Sequence, residues 1–316
     1  MVHRVRGYAS SEDYDRIRRF FQSLHETGPR PGGDWHVCHF DYWYWHWLRN
    51  VVERDPAETR IWEDEAGRIV AVLNQGDPGV CHLHVHPDAR SRELDGAMMI
   101  EAESHMSAET RDGRRVLWIW SDEADEERNA LLEGRGYRTY ASAHAIEHHG
   151  HLALGEPIRA VPLPAGYALR PMAGDEDLPA RSLASWRSFH PDEPDDGCDL
   201  TGGWYRNVQR SPTYRCDLDI VAVATDGEIA SFATCYYDES SRSGVFVLDG
   251  TAAAHQRRGL GKAVMTEALR HLRAIGGTDA YVSWYELPAG ALYESVGLKE
   301  AARSRAWRKE WPVEAA

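Results

Sequence analysis

Gln256-Arg257-Arg258-Gly259-Leu260-Gly261-Lys262-Ala263 stands between an apolar run, Gly244-Val-Phe-Val-Leu248, and a stretch in which Leu260, Val264, Ala268, Leu272 and Ile275 recur at helical spacing. The reading is therefore strand, glycine-containing loop, helix. Small residues at such a junction let backbone N–H groups converge on one spot at the positive end of the helix dipole. That makes an anion site suited to a pyrophosphate. Arg257 and Arg258 add positive charge at its rim. Gly276-Gly277 ends the helix, and Arg270 and Arg273 lie near its negative end.

Upstream and downstream of this loop the chain repeats itself. Asp219-Ile-Val-Ala-Val-Ala-Thr-Asp-Gly-Glu-Ile-Ala-Ser-Phe232 reads as strand, Asp-Gly turn, strand. Arg60-Ile-Trp-Glu-Asp-Glu-Ala-Gly-Arg-Ile-Val-Ala-Val-Leu73 has the same form. Each hairpin is followed by a further strand (Val80–Val85; Gly244–Leu248) and a helix (about Asp95–Met106; Leu260–Ile275). Another strand (Arg115–Trp120; Ala280–Trp284) and a short helix ending in glycine (Gly134; Gly297) complete each copy. The order predicts an α/β protein of mixed sheet, built as two tandem units. Gly155-Glu-Pro-Ile-Arg-Ala-Val-Pro-Leu-Pro-Ala-Gly166 has no helical period and should separate residues 1–155 from 156–316.

The loop and its surroundings resemble motif A of the GNAT acetyltransferase superfamily, Q/R-x-x-G-x-G/A. Ala289-Gly-Ala-Leu-Tyr293-Glu-Ser-Val-Gly297-Leu298 is similar to the family's A-x-x-L-Y-x-x-x-G-F signature. The resemblance runs from about Tyr167 to Trp311 and implies two tandem GNAT-like acyl-CoA acyltransferase units. It also implies roles. Gln256 would open a loop whose Arg257, Arg258, Gly259, Leu260, Gly261 and Lys262 hold the pyrophosphate of acetyl-CoA. Thr251, Ala252 and Ala253 would pair their backbone with the pantetheine arm and place an N–H near the thioester oxygen. Tyr293 would protonate the departing thiolate. Asp249, just before the cofactor loop, and Glu286, at the start of the last helix, are alternative bases for the amine. Departures from the pattern are Glu286 in place of a frequent Asn, Ala253 in place of a Pro, and Leu298 in place of a Phe.

Aligning the copies sets Arg90-Ser-Arg-Glu93-Leu-Asp95 opposite Gln256–Gly261. Both glycines have become acids, which crowd the backbone and repel a pyrophosphate. Leu132 stands where the tyrosine would be. The first half is thus expected not to bind CoA productively, and to serve structure or shape the acceptor site. Its segment Trp35-His-Val-Cys-His-Phe-Asp-Tyr-Trp-Tyr-Trp-His-Trp-Leu48, read as a helix, is apolar nearly all round. It suggests burial between domains or subunits, with a pocket wall as the alternative.

In the family the acceptor contacts the first helices of the fold. Here that region carries Trp186, Phe189, His190, Asp192 and Glu193, followed by Asp195 and Asp196. These acids could receive a cationic amine or simply be a solvated loop. His82, His84 and His86 alternate on one strand, and His144, His148, His149 and His151 cluster later. No acidic or cysteine partner has ligand spacing, so they read as hydrogen-bonded side chains and no metal is expected.

Bulk properties agree with a globular enzyme. The 316 residues are 42% hydrophobic and 27% charged. Five cysteines without CxxC spacing argue against a disulfide framework and for a reducing compartment. A net charge of −14 disfavours nucleic acid and anionic membrane as partners. With no apolar leader or spanning segment evident, a cytoplasmic protein is expected. The expected activity is transfer of acetyl from acetyl-CoA to an amine of a small cationic molecule, an antibiotic, other xenobiotic or metabolite. The alternative is a non-catalytic acyl-CoA-binding sensor or interaction protein. An intact loop beside Tyr293 favours the enzyme, because a binder needs no thiolate acid.

Overall fold

The computed structural model describes residues 3–26, 35–140 and 142–312. The first half contributes strands β1 (Arg4–Gly7), β2 (Arg60–Glu63), β3 (Ile69–Gln75), β4 (Val80–Val85), β5 (Ala108–Glu109), β6 (Arg114–Asp122), β7 (Arg138–Thr139) and β8 (Ile146–Ala153). Its helices are α1 (Ser11–Glu26), α2 (Val37–Tyr42), α3 (Arg92–His105) and α4 (Glu126–Gly134). The second half contributes β9 (Tyr167–Pro171), β10 (Asp219–Ala224), β11 (Ile229–Asp238), β12 (Ser243–Thr251), β13 (Asp279–Trp284) and β14 (Lys299–Pro312). Its helices are α5 (Leu178–Phe189), α6 (Gly203–Gln209), α7 (Leu260–Ala274) and α8 (Leu287–Ser295). The repeated order read from the sequence is thus present in both halves. Asp226-Gly227 makes the expected turn between β10 and β11, with Gly227 at φ 90° and its N–H on Ala224 O at 3.0 Å.

All strands join one mixed sheet, in the order β1-β2-β3-β4-β6-β14-β8-β13-β12-β11-β10-β9, with β5 and β7 flanking it. The order shows an exchange. β8, from the first half, lies between β13 and β14 of the second, pairing Asp279 with Ala153 and Trp284 with His148. β14, from the second half, pairs with β6 of the first over Ser304–Pro312. The linker 155–166 is irregular, as expected, yet the strands it separates are stitched across it.

Two cores lie on the side of the sheet bearing α3 and α7. One holds Leu83, Met98, Met99 and Leu132, the other Leu260, Val264, Leu272 and Tyr293. The third core belongs to both halves, joining Tyr14, Phe21, Phe40 and Trp43 to Tyr205, Phe232, Tyr236 and Leu248. Helix α2 continues into a π-helix over Trp43–Val51, which closes with the Val52 N–H on Trp47 O at 3.0 Å. The aromatic segment is therefore helical and buried between the halves. Polar bonds tie it down, among them Thr213 Oγ1 donating to Asp41 Oδ2 at 2.9 Å and Asn207 Nδ2 to Asn50 Oδ1 at 2.7 Å. No helix among the described residues is long and apolar enough to cross a membrane.

Candidate active site

The site begins with a break in strand pairing. Opposite β11, Leu248 faces Thr234 while Phe246 faces Cys235, so Val247 is an extra residue, a bulge that bends β12. On its other edge β12 runs parallel to β13 only from Ser243–Phe246 against Asp279–Val282. Beyond that the strands part. The Ala252 N–H is bonded to Ala230 O at 3.0 Å. Antiparallel pairs alternate, so the N–H groups of Thr251 and Asp249 point away from β11, into the gap. Of the three residues assigned to the pantetheine arm, Thr251 has an N–H facing the gap, whereas that of Ala252 is already held by the sheet.

Next to the gap, α7 opens without a side-chain cap. Gly259 precedes it in the left-handed region (φ 83°), and Arg257 is also left-handed (φ 61°). Two such residues turn the loop so that its N–H groups face one side. The Ala263 N–H is the first in α7 to find an intrahelical partner, Gly259 O at 3.1 Å, leaving those of Leu260, Gly261 and Lys262 as open donors. A Cβ on Gly261 would meet Leu292 Cδ2 at 3.3 Å and Thr251 Oγ1 at 3.5 Å, so the hollow exists because the side chain is missing. Gln256 braces the loop by donating to Thr251 O at 3.1 Å, and Arg258 donates to Tyr167 Oη at 2.9 Å. Arg257 stays exposed at the rim. These features suit a pyrophosphate.

Tyr293 is carried into the gap by α8. Pro288 starts that helix, and Gly290 lets it press against the Trp284 indole, where a Cβ would lie 2.5 Å from Nε1. At the other end Gly297, at φ 100°, turns the chain so that the Leu298 N–H reaches Tyr293 O at 3.1 Å. The Tyr293 hydroxyl donates to Asp249 Oδ2 at 2.7 Å. Burial raises the Asp249 carboxyl to about 6, although the Tyr293 bond and the Arg181 charge oppose the rise. Burial and the neighbouring carboxylate push the Tyr293 phenol well above its ordinary value. Arg181 is itself wholly buried, its guanidinium 3.5 Å from the Phe232 ring centroid. Glu286, the other base candidate, is exposed at the start of α8 and makes no cap bond. The structure thus brings Asp249 and Tyr293 together and leaves Glu286 outside.

Residues at the end of α5 have a different setting. Trp186 stacks on His190 at 4.2 Å and donates to Pro194 O, while Arg187 pairs with Asp195 and Glu228. Phe189, His190, Asp192 and Glu193 are exposed. Ser188 and the Phe232 ring, which Phe189 approaches at 6.3 Å, pack beside Gly250, so this segment borders the end of β12. A cavity of about 490 Å³ lies elsewhere, against Phe246 and Val247 at the mouth of the gap. Trp35, Tyr42, Trp43 and Trp47 form one wall of it, and Trp120, Glu147, Ser283 and Tyr285 another. This wall of the aromatic segment was open as an alternative in the sequence. Glu147 was missed: it lies in a histidine-rich strand whose transfer into the other half's sheet has no local signal.

The corresponding helix start in the first half is built differently. Counting from the helix caps, Ser91 and Gly259, puts exposed Glu93 at the place of Gly261 and Asp95 at that of Ala263, two residues from the alignment read in the sequence. Asp95 is buried and accepts from Arg128 Nη2 at 2.9 Å and from Arg90 Nε at 3.1 Å. Arg90 also bonds Asp125. Ser91 caps α3, its Oγ accepting from the Leu94 N–H at 3.2 Å. The helix start that is free of a side-chain cap in the second half is capped here, and Asp95 one turn on is held in an ion cluster. His82, His84 and His149 line the interior beside the cavity, and no group of three or more His, Cys, Asp or Glu among the described residues is placed to hold a metal ion.

A mixed sheet with a bulged, splayed central pair and an open helix N-terminus at the split defines an acyl-CoA acyltransferase fold. Residues 183–298 match the model of the Acetyltransferase (GNAT) family. Residues 183–298 thus form a GNAT-family acetyltransferase domain, and the fold of the whole chain is that of two tandem GNAT-like units. It is 26% identical over 260 residues to the mycothiol acetyltransferase of Paenarthrobacter aurescens (strain TC1), covering 78% of this chain and 74% of that protein. Among solved structures it is similar to a GCN5-related N-acetyltransferase from Sphaerobacter thermophilus, with TM-score 0.64, 19% identity, and 99% and 98% of the two chains covered. It is also similar to a tandem GNAT protein from the clavulanic acid biosynthesis pathway, with TM-score 0.67, 16% identity, and 99% and 100% covered.

Proposed function

We propose that the chain transfers acetyl from acetyl-CoA to an amine of a small molecule at one site, in residues 156–316, while residues 1–155 close and shape that site. The contact between Tyr293 and Asp249 at the mouth of the β12–β13 gap carries this reading. The open N–H groups of Leu260, Gly261 and Lys262 hold the pyrophosphate, and the Thr251 backbone lies along the pantetheine arm. Bound there, the thioester supplies an activated acyl group and a thiolate that needs a proton on leaving. Asp249 takes a proton from the amine as its nitrogen attacks. Tyr293 Oη gives its own proton away and regains one from Asp249 through their shared hydrogen bond. The pair is then restored, and the amine proton has in effect been passed to the thiol. The Thr251 N–H in the gap offers a donor to the thioester oxygen as charge gathers on it.

The cavity beside the gap supports a small acceptor, and the mycothiol acetyltransferase relative acts by its name on a small molecule. Thiol release from acetyl-CoA across a panel of amines tests the reading. Tight CoA binding with no turnover of any amine overturns it.

A further inference from the structure

The cavity at the junction of the halves contains a carboxylate with no cation paired to it among the described residues. Glu147 sits on β8, the strand transferred into the second half's sheet, and is buried. Tyr285 and Ser283 bond its carboxyl, yet burial still raises it to about 7. It has no ion pair among the described residues. Desolvating a carboxyl costs several kcal/mol when nothing balances its charge, so Glu147 is poorly explained by the fold alone.

The rest of the cavity points the same way. Among the described residues neither lysine nor arginine lines it. Burial lowers His39 to about 4 and His82 well below its ordinary value, so both imidazoles are neutral at neutral pH. The other acid in the lining is Asp77, at the rim and itself raised by burial. Indole and phenol rings of Trp35, Tyr42, Trp43, Trp47, Trp120 and Tyr285 make up most of the walls, and aromatic faces attract cations. Tyr42 links the two ends. It lines the cavity, and the Asp249 charge adds to burial in raising its phenol.

We propose that this cavity selects a diamine or polyamine acceptor, seating one ammonium against Glu147 among the aromatic rings while a second amine reaches Asp249. The proposal rests on the acetyltransferase reading for the second amine. The first ammonium needs only the cavity. Glu147 then serves as a specificity residue and does not touch the reacting atoms.

The test compares an α,ω-diaminoalkane with the amino alcohol of equal length, in which a hydroxyl replaces the second amine. For the unaltered protein, kcat/KM for the diamine should exceed that for the amino alcohol by at least about tenfold, one desolvated ion pair being worth more than 1.4 kcal/mol. Glu147→Gln keeps the shape and one acceptor oxygen while removing the charge. It should raise KM for the diamine about tenfold with kcat little changed, and leave the amino alcohol nearly unaffected. Quenching of tryptophan fluorescence by the diamine, in protein saturated with desulfo-CoA, reads binding without turnover and should weaken equally in Glu147→Gln. Equal turnover of both compounds, or a Glu147→Gln variant with the same preference, overturns the proposal and leaves the acetyltransferase reading standing. Diamine binding that depends on Glu147 without turnover of any amine supports the cavity assignment and overturns the enzyme reading. Neither binding nor turnover overturns the proposal.

Discussion

Removing the Tyr293 hydroxyl tests the pairing with Asp249 most directly. The bond to Oδ2 is 2.7 Å long and favours the ionised carboxylate, holding the group near 6 against the upward push of burial. A hydrogen bond to a charged group contributes about 1.5–3 kcal/mol, and one pKa unit corresponds to about 1.4 kcal/mol. Tyr293→Phe should therefore move the Asp249 carboxyl upward by about one to two units. The sign follows from which form is stabilised: losing a bond to the carboxylate favours the protonated acid, so a higher pH is needed to make the base. The acid limb of kcat/KM, near pH 6 in the unaltered protein, should move to about 7–8. Above that limb the rate should also fall ~10²-fold or more, since the general acid is gone. The assay is thiol release between pH 5.5 and 9, with both proteins given the same amine so that its own titration cancels in the ratio. CoA affinity by calorimetry should be unchanged. A limb that stays near 6 in Tyr293→Phe would refute the reasoning, because the titrating group would then not be the one that Tyr293 touches.

Three further outcomes follow from other parts of the molecule. Gly261→Asp should weaken CoA binding at least about 100-fold by calorimetry, since it fills the hollow between Leu292 and Thr251 with a carboxylate; unchanged affinity would place the cofactor elsewhere. Arg128→Leu leaves buried Asp95 with the Arg90 contact and should cost about 1.5–3 kcal/mol in denaturant unfolding, whereas Arg128→Leu with Asp95→Leu should recover part of it. Burial lowers His36 and His149 to about 3 and His39 and His46 to about 4. The unfolded chain therefore takes up protons first as pH falls below about 6.5, at a cost to the fold of about 2 kcal/mol per imidazole by pH 5. Glu147 and Asp249, raised by burial, act in the opposite sense as pH falls through 7 and 6 and offset part of this. The net expectation is a denaturation midpoint that drops between pH 6.5 and 4, and a flat midpoint over that range would contradict buried neutral imidazoles.

The cofactor side of the site was legible because its chemistry is local. A loop that must present bare N–H groups needs Gly259 at a left-handed φ and Gly261 without a side chain, and both requirements are written in consecutive residues. Asp249 and Tyr293 were legible for a related reason, each being fixed by its offset along an element that starts or ends at the gap. The acceptor side was not. Glu147 meets Ser283 and Tyr285 only because β8 crosses into the other half's sheet, and nothing within residues 146–153 distinguishes an exchanged strand from one that stays at home. The aromatic segment 35–48 showed by composition that it would be buried, but its partners in the shared core, Tyr205, Phe232 and Tyr236, lie more than 150 residues away. Exchange also ties the two halves together structurally. β14 of the second half is completed by β6, and one wall of the cavity beside the gap is built from α2 and its π-helical extension. Loss of the first half would remove that wall together with β8, so the candidate site of the second half depends on the first half for part of its own framework.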